Sequence, residues 1–128
     1  MERLIVSRHQ ATIDMIREWL PEFADAPVLA SASPDDVRGK AVAGNLPLDL
    51  AVLAAEYHTI VFDSIPPRGA EWTAAELRAA GARMQEYLVL PVYRNIGGRP
   101  ELLRAMAAAL YEVQHEGYSG GMNAARSA

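Results

Sequence analysis

A guanidinium and an imidazole stand side by side at Arg8-His9, immediately after an apolar run that predicts a strand over residues 4–7. Arginine matches the geometry of phosphate oxygens, and histidine can donate or accept a proton near neutral pH. A helix is predicted to begin at Gln10, and its first backbone N–H groups would add to an anion site. The alternative is that Ser7 caps this helix while Arg8 and His9 are solvated.

Two further polar segments follow predicted strands, one after the third strand and one after the fourth. Their residues are Gly44, Asn45, Leu46, Pro47, Asp63 and Ser64. In open α/β sheets, ligands bind beyond the carboxyl ends of the strands. We therefore expect these segments to lie at the same edge of the sheet as Arg8. The alternatives are an ordinary turn with Asn45 as a helix N-cap, and an Asx turn at Asp63.

Another candidate pair, Arg83 and Tyr87, lies in a segment that predicts a helix. Residues 73–76 have the form of a capping box, and apolar spacing through Met84 and Tyr87 favours a helix beyond them. Because Arg83 and Tyr87 are four residues apart, they would share one face of this helix. On that face, the arginine could contact a phosphate of the ligand while the tyrosine ring stacks on a base. The alternative is an ordinary helix surface.

Predicted strands and helices alternate along the chain. The strands cover residues 4–7, 27–32, 40–43, 59–62 and a segment within 87–92, and the helices cover residues 10–20, 48–56, a segment opening at 73, and 101–116. This alternation predicts an α/β fold with a mostly parallel sheet covered on both faces. We predict one domain over residues 1–116 and a flexible tail over residues 117–128.

The composition narrows the classes of ligand. A net charge of −4 argues against a surface for duplex DNA, although a small anion can still bind in a locally basic pocket. The absence of cysteine excludes zinc–thiolate sites and thiolate nucleophiles. No spacing predicts a metal, and His58 and His115 are expected to be surface or boundary residues, so we expect no cofactor. Without a signal peptide or a membrane-length apolar run, the prediction is a cytoplasmic protein with no membrane partner.

Arg8-His9 resembles the start of the Arg-His-Gly motif of histidine phosphatases, in which the histidine becomes phosphorylated. In this chain Gln10 stands where that motif has its glycine. No obvious second catalytic histidine lies in a matching loop. The resemblance implies a small phosphatase in which His9 is the nucleophile, and we keep this as an alternative.

A broader resemblance rests on four blocks in order: VSRHQATIDMIREW, AVAGNLPLDLAVLAAE, FDSIPP and ELRAAGARMQEYLV. They are similar to a small family of CRISPR-associated proteins encoded beside type III systems. That family has a strand ending in Ser/Thr-Arg-His, a Gly-x-Leu-Pro turn, and a helix with the pattern Glu-Leu/Met-Arg-x-x-Gly-Ala-Arg-x-x-Glu-Tyr. The resemblance covers roughly residues 3–92. Gln10 replaces a proline that is common in the family.

The family is in turn similar to ring nucleases, which cleave cyclic oligoadenylate messengers and so end antiviral signalling. The resemblance implies a Rossmann-like three-layer sandwich that forms a homodimer with cyclic tetraadenylate across its two-fold axis. Metal-independent attack by a ribose 2′-OH would leave a 2′,3′-cyclic phosphate.

On this hypothesis, Arg8 and His9 are catalytic. Arg8 contacts the phosphate together with the helix amides, and His9 acts as the acid/base or as a positioning donor. The side chain of Asn45 and the amides of its turn hold ribose or adenine. The full set of predicted binding residues is Ser7, Gln10, Gly44, Asn45, Leu46, Pro47, Asp63, Ser64, Arg83 and Tyr87. A protein that senses or sequesters the messenger without cutting it is the other alternative.

Overall fold

A five-stranded sheet lies at the centre of the computed structural model, which describes residues 1–64, 71–92 and 100–112. The strands are β1 (Arg3–Val6), β2 (Val28–Leu29), β3 (Ala41–Gly44), β4 (Glu56–Val61) and β5 (Arg83–Tyr87), in the spatial order β2-β1-β3-β4-β5. The first four strands are parallel, and β5 pairs antiparallel with β4. The predicted α/β fold with a mostly parallel sheet is confirmed.

The helices are α1 (Gln10–Trp19), α2 (Pro34–Val37), α3 (Leu48–Ala51), α4 (Ala74–Ala79) and α5, over residues 100–112. In α1, Ile13 and Ile16 are buried because their spacing places them on one helix face. The chain then enters a 3₁₀ turn at Pro21, which has no N–H with which to extend the helix. None of the helices in the described part of the chain is long and apolar enough to cross a membrane.

Successive residues of β1 pack on opposite faces of the sheet. Leu4 and Val6 belong to a core cluster that includes residues of α2 and α3. Ile5 belongs to a second cluster with residues of α1 and with Phe23 of the 3₁₀ turn. These three side chains are buried because helices cover both faces, which explains the continuous apolar run over residues 4–6 of the sequence.

The helix predicted over residues 48–56 is wrong beyond its first turn. α3 ends at Ala51, and β4 begins at Glu56. The amide of Ala55 donates a hydrogen bond to the carbonyl of Lys40, at 2.9 Å, so this part of the chain joins the sheet instead of continuing the helix. The predicted strand over residues 59–62 is correspondingly three residues too short at its start.

The prediction of a helix through Met84 and Tyr87 is also wrong. α4 ends at Ala79, and Gly81 has a φ of +78°, a left-handed conformation that stops helices. A Cβ at Gly81 would lie 2.2 Å from a carboxylate oxygen of Asp63, so a larger residue there would have to displace that side chain as well as adopt a strained backbone. The chain then reverses into β5, which occupies residues predicted as helix and ends where a strand was expected to start.

The chain divides into two compact units, Met1–Leu90 and Pro91–Ala128. The described part of the second unit is α5, whose residues agree with the start of the helix predicted over 101–116. Residues 113–116 and the predicted tail over 117–128 lie outside the described residues, as does His115. The single domain predicted over residues 1–116 stays a prediction.

Candidate functional site

A cavity of about 320 Å³ opens at the carboxyl edge of the sheet. β1 and β3 are adjacent and parallel, with Val6 paired to Gly44, so the segments that follow them meet. The strand order places the topological switch point between these same two strands. The cavity is lined by Val6, Ser7, Arg8, His9, Ala30, Ser31, Ala32, Asn45, Leu46, Pro47 and Leu50. The predicted meeting of Arg8 and His9 with the turn at Asn45 is confirmed.

A second cavity, of about 180 Å³, lies on the other side of His9 and Asn45. Its lining comes from the ends of β1, β3 and β4 and the first turn of α1: Ser7, His9, Thr12, Gly44, Asn45, Thr59, Ile60 and Phe62. Ser7, His9 and Asn45 line both cavities. A ligand in either cavity would therefore meet the same imidazole and the same carboxamide.

Ser7 fixes the main chain at the start of α1. Its side chain is buried, and its hydroxyl accepts a hydrogen bond from the amide of His9 at 3.1 Å. His9, rather than Ser7, is the N-cap residue of α1, and its side chain makes no capping bond. The alternative in which Ser7 is the N-cap of this helix is thus not observed. In a helix, the amides of the first turn have no acceptor within the helix, so this turn of α1 presents N–H groups at the cavity edge.

Arg8 is exposed and contacts the protein weakly. Its Nε lies 3.4 Å from the carbonyl oxygen of Ala30, at the long limit for a hydrogen bond. Within the described residues, the two terminal nitrogens of Arg8 have no hydrogen-bond or ion-pair partner. The guanidinium therefore has its paired donors available for an anion in the larger cavity.

His9 has a carboxylate neighbour that the sequence analysis missed. Nδ1 of His9 lies 3.7 Å from Oε1 of Glu71, and the two side chains are 59% and 87% exposed. That separation is longer than a hydrogen bond, so Glu71 is a neighbour of the imidazole and not a bonded partner in this structure. Glu71 is 62 positions along the chain from His9, and no local pattern could have connected the two.

The turn after β3 requires glycine at its first position. Gly44 has a φ of +133°, and a Cβ there would lie 1.9 Å from the carbonyl oxygen of Val6. The absence of a side chain lets β3 approach the end of β1 closely enough for the amide of Asn45 to donate to that oxygen at 3.0 Å. This contact sets the width of the cavity between the two strand ends.

Tyr57, in β4, stabilises the same turn through hydrogen bonds of its side chain and was not predicted as a site residue. Its buried hydroxyl accepts a hydrogen bond from the amide of Leu46 at 2.9 Å. The hydroxyl donates to the carbonyl of Gly44 at 3.4 Å. A tyrosine in a β-rich run looks like a core residue, and only the folded structure brings its hydroxyl to a turn 11 residues earlier.

The hydrogen bonds within the turn after β3 contradict the predicted role of its backbone amides in binding the ligand. The amides of Asn45 and Leu46 both donate within the fold, and Pro47 has no amide hydrogen. The backbone N–H groups after Gly44 are therefore engaged and do not hold ribose or adenine as predicted. The exposed side chain of Asn45 remains as the donor and acceptor that the turn presents to both cavities.

Asp63 and Arg83 form an ion pair outside the two cavities described above. Oδ1 of Asp63 lies 2.7 Å from Nη1 of Arg83, and both side chains are largely exposed. Asp63 and Ser64 follow β4, which is parallel to β3 and β1, so they lie at the carboxyl edge of the sheet as expected. Neither of them, nor Arg83, lines the two cavities with Arg8, and their role in ligand binding stays a prediction.

Tyr87 lies toward the opposite edge of the sheet. In the antiparallel register, Arg83 is paired with Val61 at the carboxyl end of β4, whereas Tyr87 is paired with Tyr57 near its amino end. Four residues of strand separate the two by about 13 Å, so they are not the close neighbours that one helix face would make them. Gln10 is also directed elsewhere, since its Nε2 donates to Asp14 at 2.8 Å.

His58 is buried, which contradicts its prediction as a surface or boundary residue. Its Nε2 lies 3.1 Å from Oε1 of Glu56 and 3.5 Å from Oε1 of Glu86. Ligand atoms of these three residues all lie within 4.8 Å of one another, so the described residues contain a group that can hold a metal ion. No local spacing indicated this cluster, because strand pairing brings Glu86 to residues that lie far from it in sequence; the expectation of no cofactor stays a prediction.

Comparison with known proteins gives a family match that includes the residues lining the cavity at the carboxyl edge. Neither the curated proteins nor the solved structures gave a match. A family model described as "Putative CRISPR-associated protein (Cas_VVA1548)" matches residues 4–90. The match spans all five strands except Arg3, the first residue of β1, and it includes every residue that lines the two cavities. The chain belongs to this CRISPR-associated family.

Proposed function

We propose that the protein is a ring nuclease that cleaves cyclic tetraadenylate and so ends type III CRISPR signalling. The observation that carries the proposal is the larger cavity, where Arg8, His9 and Asn45 meet beside the first turn of α1. A guanidinium with free terminal nitrogens and a helix N-terminus together favour a phosphate. Membership in a CRISPR-associated family supports a cyclic oligoadenylate as the source of that phosphate.

Cleavage uses a nucleophile that the ligand already contains. The 2′-oxygen of one adenosine attacks the adjacent 3′-phosphorus, and the bond from phosphorus to the 5′-oxygen of the next nucleotide breaks. The 2′-hydroxyl loses a proton and the departing 5′-oxygen gains one. The products are a 2′,3′-cyclic phosphate and a free 5′-hydroxyl. Because this attack is intramolecular, alignment supplies much of the rate enhancement.

Arg8 and His9 divide the remaining work. Arg8 stabilises the negative charge that develops on the phosphoryl oxygens. His9 transfers a proton to or from one of the two ribose oxygens, or holds one of them by a hydrogen bond. The side chain of Asn45 contacts ribose or adenine. Ser7 acts through the His9 amide and keeps the imidazole at the border of the two cavities.

Two copies of the chain bind one ring in this proposal. A cavity of about 320 Å³ is at the small end of the range for ligand pockets, roughly 300–1,000 Å³, so one chain holds only part of a tetranucleotide. A ring with equivalent phosphates matches a two-fold symmetric dimer, which presents the same loops twice. Sedimentation of the protein with and without the ring measures whether the dimer exists.

The assay is incubation of the purified protein with cyclic tetraadenylate in EDTA, followed by chromatography of the products. Linear products ending in a 2′,3′-cyclic phosphate are expected. His9→Ala is expected to slow their formation by about 10²–10⁴-fold. An active wild-type preparation that yields no linear product would reject the nuclease.

A second candidate is a protein that binds the ring without cutting it. Among the residues that line the two cavities, His9 is the only side chain able to transfer a proton near neutral pH. Binding requires no proton transfer, whereas cleavage moves a proton at two ribose oxygens. The presence of one acid/base side chain therefore also fits a protein that only binds the ring. Calorimetric binding with intact ligand after long incubation would favour this candidate. Labelling of His9 as phosphohistidine would instead favour the phosphatase.

A further inference from the structure

Glu56, His58 and Glu86 bring three metal-binding groups together on one face of the sheet. Glu56 and His58 are two residues apart in β4, so their side chains project from the same face. β5 places Glu86 directly opposite His58 in the antiparallel register. One ligand atom from each residue lies within 4.8 Å of the others. A single ion can therefore contact all three side chains.

Two distances within this Glu–His–Glu cluster are close to those around a tetrahedral ion. Nε2 of His58 lies 3.1 Å and 3.5 Å from the nearest carboxylate oxygens of Glu56 and Glu86. With zinc–nitrogen and zinc–oxygen bonds of about 2.0–2.2 Å, neighbouring ligand atoms in a tetrahedron lie about 3.3–3.6 Å apart. The three ligand atoms lie within 4.8 Å of one another, so an ion would draw the two exposed carboxylates toward the imidazole, and water would supply the fourth bond.

The imidazole is held in place while the carboxylates remain accessible. The side chain of His58 is only 8% exposed. Its ring meets Phe23 edge to face, with centroids 5.6 Å apart. The Glu56 and Glu86 side chains are 40% and 62% exposed. An ion can thus enter from solvent and reach a nitrogen whose position packing has already fixed.

The charges of the cluster favour a cation at its centre. A ring nitrogen carries at most one hydrogen, which can point toward only one of the two carboxylates. The two carboxylates also repel each other when both are ionised. A divalent cation would bond to all three groups and neutralise both negative charges.

We propose that Glu56, His58 and Glu86 bind a divalent cation of the zinc class, which fastens β5 to β4. An imidazole with two carboxylates suits zinc and similar ions, whereas calcium and magnesium favour sites made of oxygen alone. The cation has a structural role in this proposal, because the cluster is separate from the residues that line the two cavities.

The test is titration of the chelator-treated full-length chain with zinc chloride, followed by calorimetry and by thermal unfolding. One equivalent of zinc per chain and a higher melting temperature are expected. Cobalt(II) in place of zinc should give the visible absorption of a four-coordinate site. Absence of bound zinc in the wild-type chain would overturn the proposal and would mean that the three groups form only an ion-paired cluster.

Substitutions locate the zinc. Glu86→Gln removes a ligand that is 62% exposed, and it should weaken zinc binding at least ~10-fold. Glu101→Gln, an exposed glutamate in α5, makes the same change elsewhere and should bind zinc as the wild type does. Since the chain has three histidines, His9→Ala is a second control and should also retain zinc. Unchanged affinity in Glu86→Gln, or loss in His9→Ala, would overturn the assignment.

If Glu86→Gln does not fold, Glu56→Gln tests the same site. The number of zinc ions bound per wild-type chain also decides whether the site exists. The outcome is independent of ring cleavage, which is assayed in EDTA with circular dichroism to verify that the chelated chain remains folded. A chain that binds zinc but leaves cyclic tetraadenylate intact would retain this inference and lose the proposed nuclease. A chain that cleaves the ring but binds no zinc would give the converse result.

Discussion

The hydroxyl of Tyr57 gives a specific test of how the turn at the cavity edge is held. It is the acceptor for the buried amide of Leu46 at 2.9 Å and the donor to the carbonyl of Gly44 at 3.4 Å. Tyr57→Phe keeps the ring and removes only this oxygen. The substitution should leave the amide of Leu46 without a partner in a site where water has little access.

The expected change in the free energy of unfolding follows from the loss of these two hydrogen bonds. Leaving a buried donor unsatisfied costs about 1–3 kcal/mol. The bond to Gly44 is long, so its loss adds little. The ring stays and continues to fill the core, so no cavity term applies. We expect Tyr57→Phe to lower the free energy of unfolding by about 1–2 kcal/mol.

The measurement is urea unfolding of the wild type and Tyr57→Phe, with hydrogen exchange at the amide of Leu46. Tyr87→Phe is a matched control, because that tyrosine is 44% exposed on β5 and should change stability by less than about 0.5 kcal/mol. Leu46 should also exchange faster in Tyr57→Phe alone. Equal stability of the two variants, or unchanged exchange at Leu46, would refute the role given to the Tyr57 hydroxyl.

Three further predictions concern other parts of the first compact unit. Gly44→Ala should destabilise the fold by at least about 2 kcal/mol in urea unfolding, because a Cβ would lie 1.9 Å from a carbonyl oxygen of β1; wild-type stability would contradict this. Hydrogen bonds from the backbone and side chain of Ser33 lower the pKa of Asp36. Its stabilising effect is therefore present above the ordinary carboxyl pKa and is lost as pH falls through the lowered one. Asp36→Asn should thus melt below the wild type at pH 7 and approach it as the pH falls below about 4; a difference independent of pH would contradict the linkage. Arg83→Ala removes an exposed ion pair with Asp63 and a 3.3 Å hydrogen bond to the carbonyl of Gly81, so urea unfolding should show a loss of at most about 1 kcal/mol; a larger loss would contradict its placement at the surface.

The sequence predicted β1, α1 and the site that joins them to the turn after β3. Local signals were sufficient there: a fully apolar strand, the spacing of Ile13 and Ile16, and Pro21 beyond the helix. Parallel strands place their carboxyl ends at one edge, so the meeting of Arg8 with Asn45 followed from topology. The hydrogen bonds of Tyr57 did not follow, because they depend on the depth at which one side chain enters the core.

The segment after Gly81 shows what local spacing cannot determine. Leu77 and Met84 fit a helical repeat, yet Met84 lies in β5. Its conformation is decided by pairing with a strand more than 20 residues earlier. The same pairing brings Glu86 to His58, which explains why local spacing did not indicate the Glu–His–Glu cluster. Both features depend on strand pairing between segments that are distant in sequence.

The most direct test of the proposed nuclease is the single-turnover rate of cyclic tetraadenylate cleavage in EDTA by Arg8→Ala, compared with Arg104→Ala. Arg104 is an exposed arginine of α5 and makes the matched change of charge and size. We predict that Arg104→Ala cleaves at the wild-type rate and that Arg8→Ala is slower by about 10²–10³-fold. Equal rates for the two variants would contradict the assignment of the cavity at the carboxyl edge as the site of cleavage.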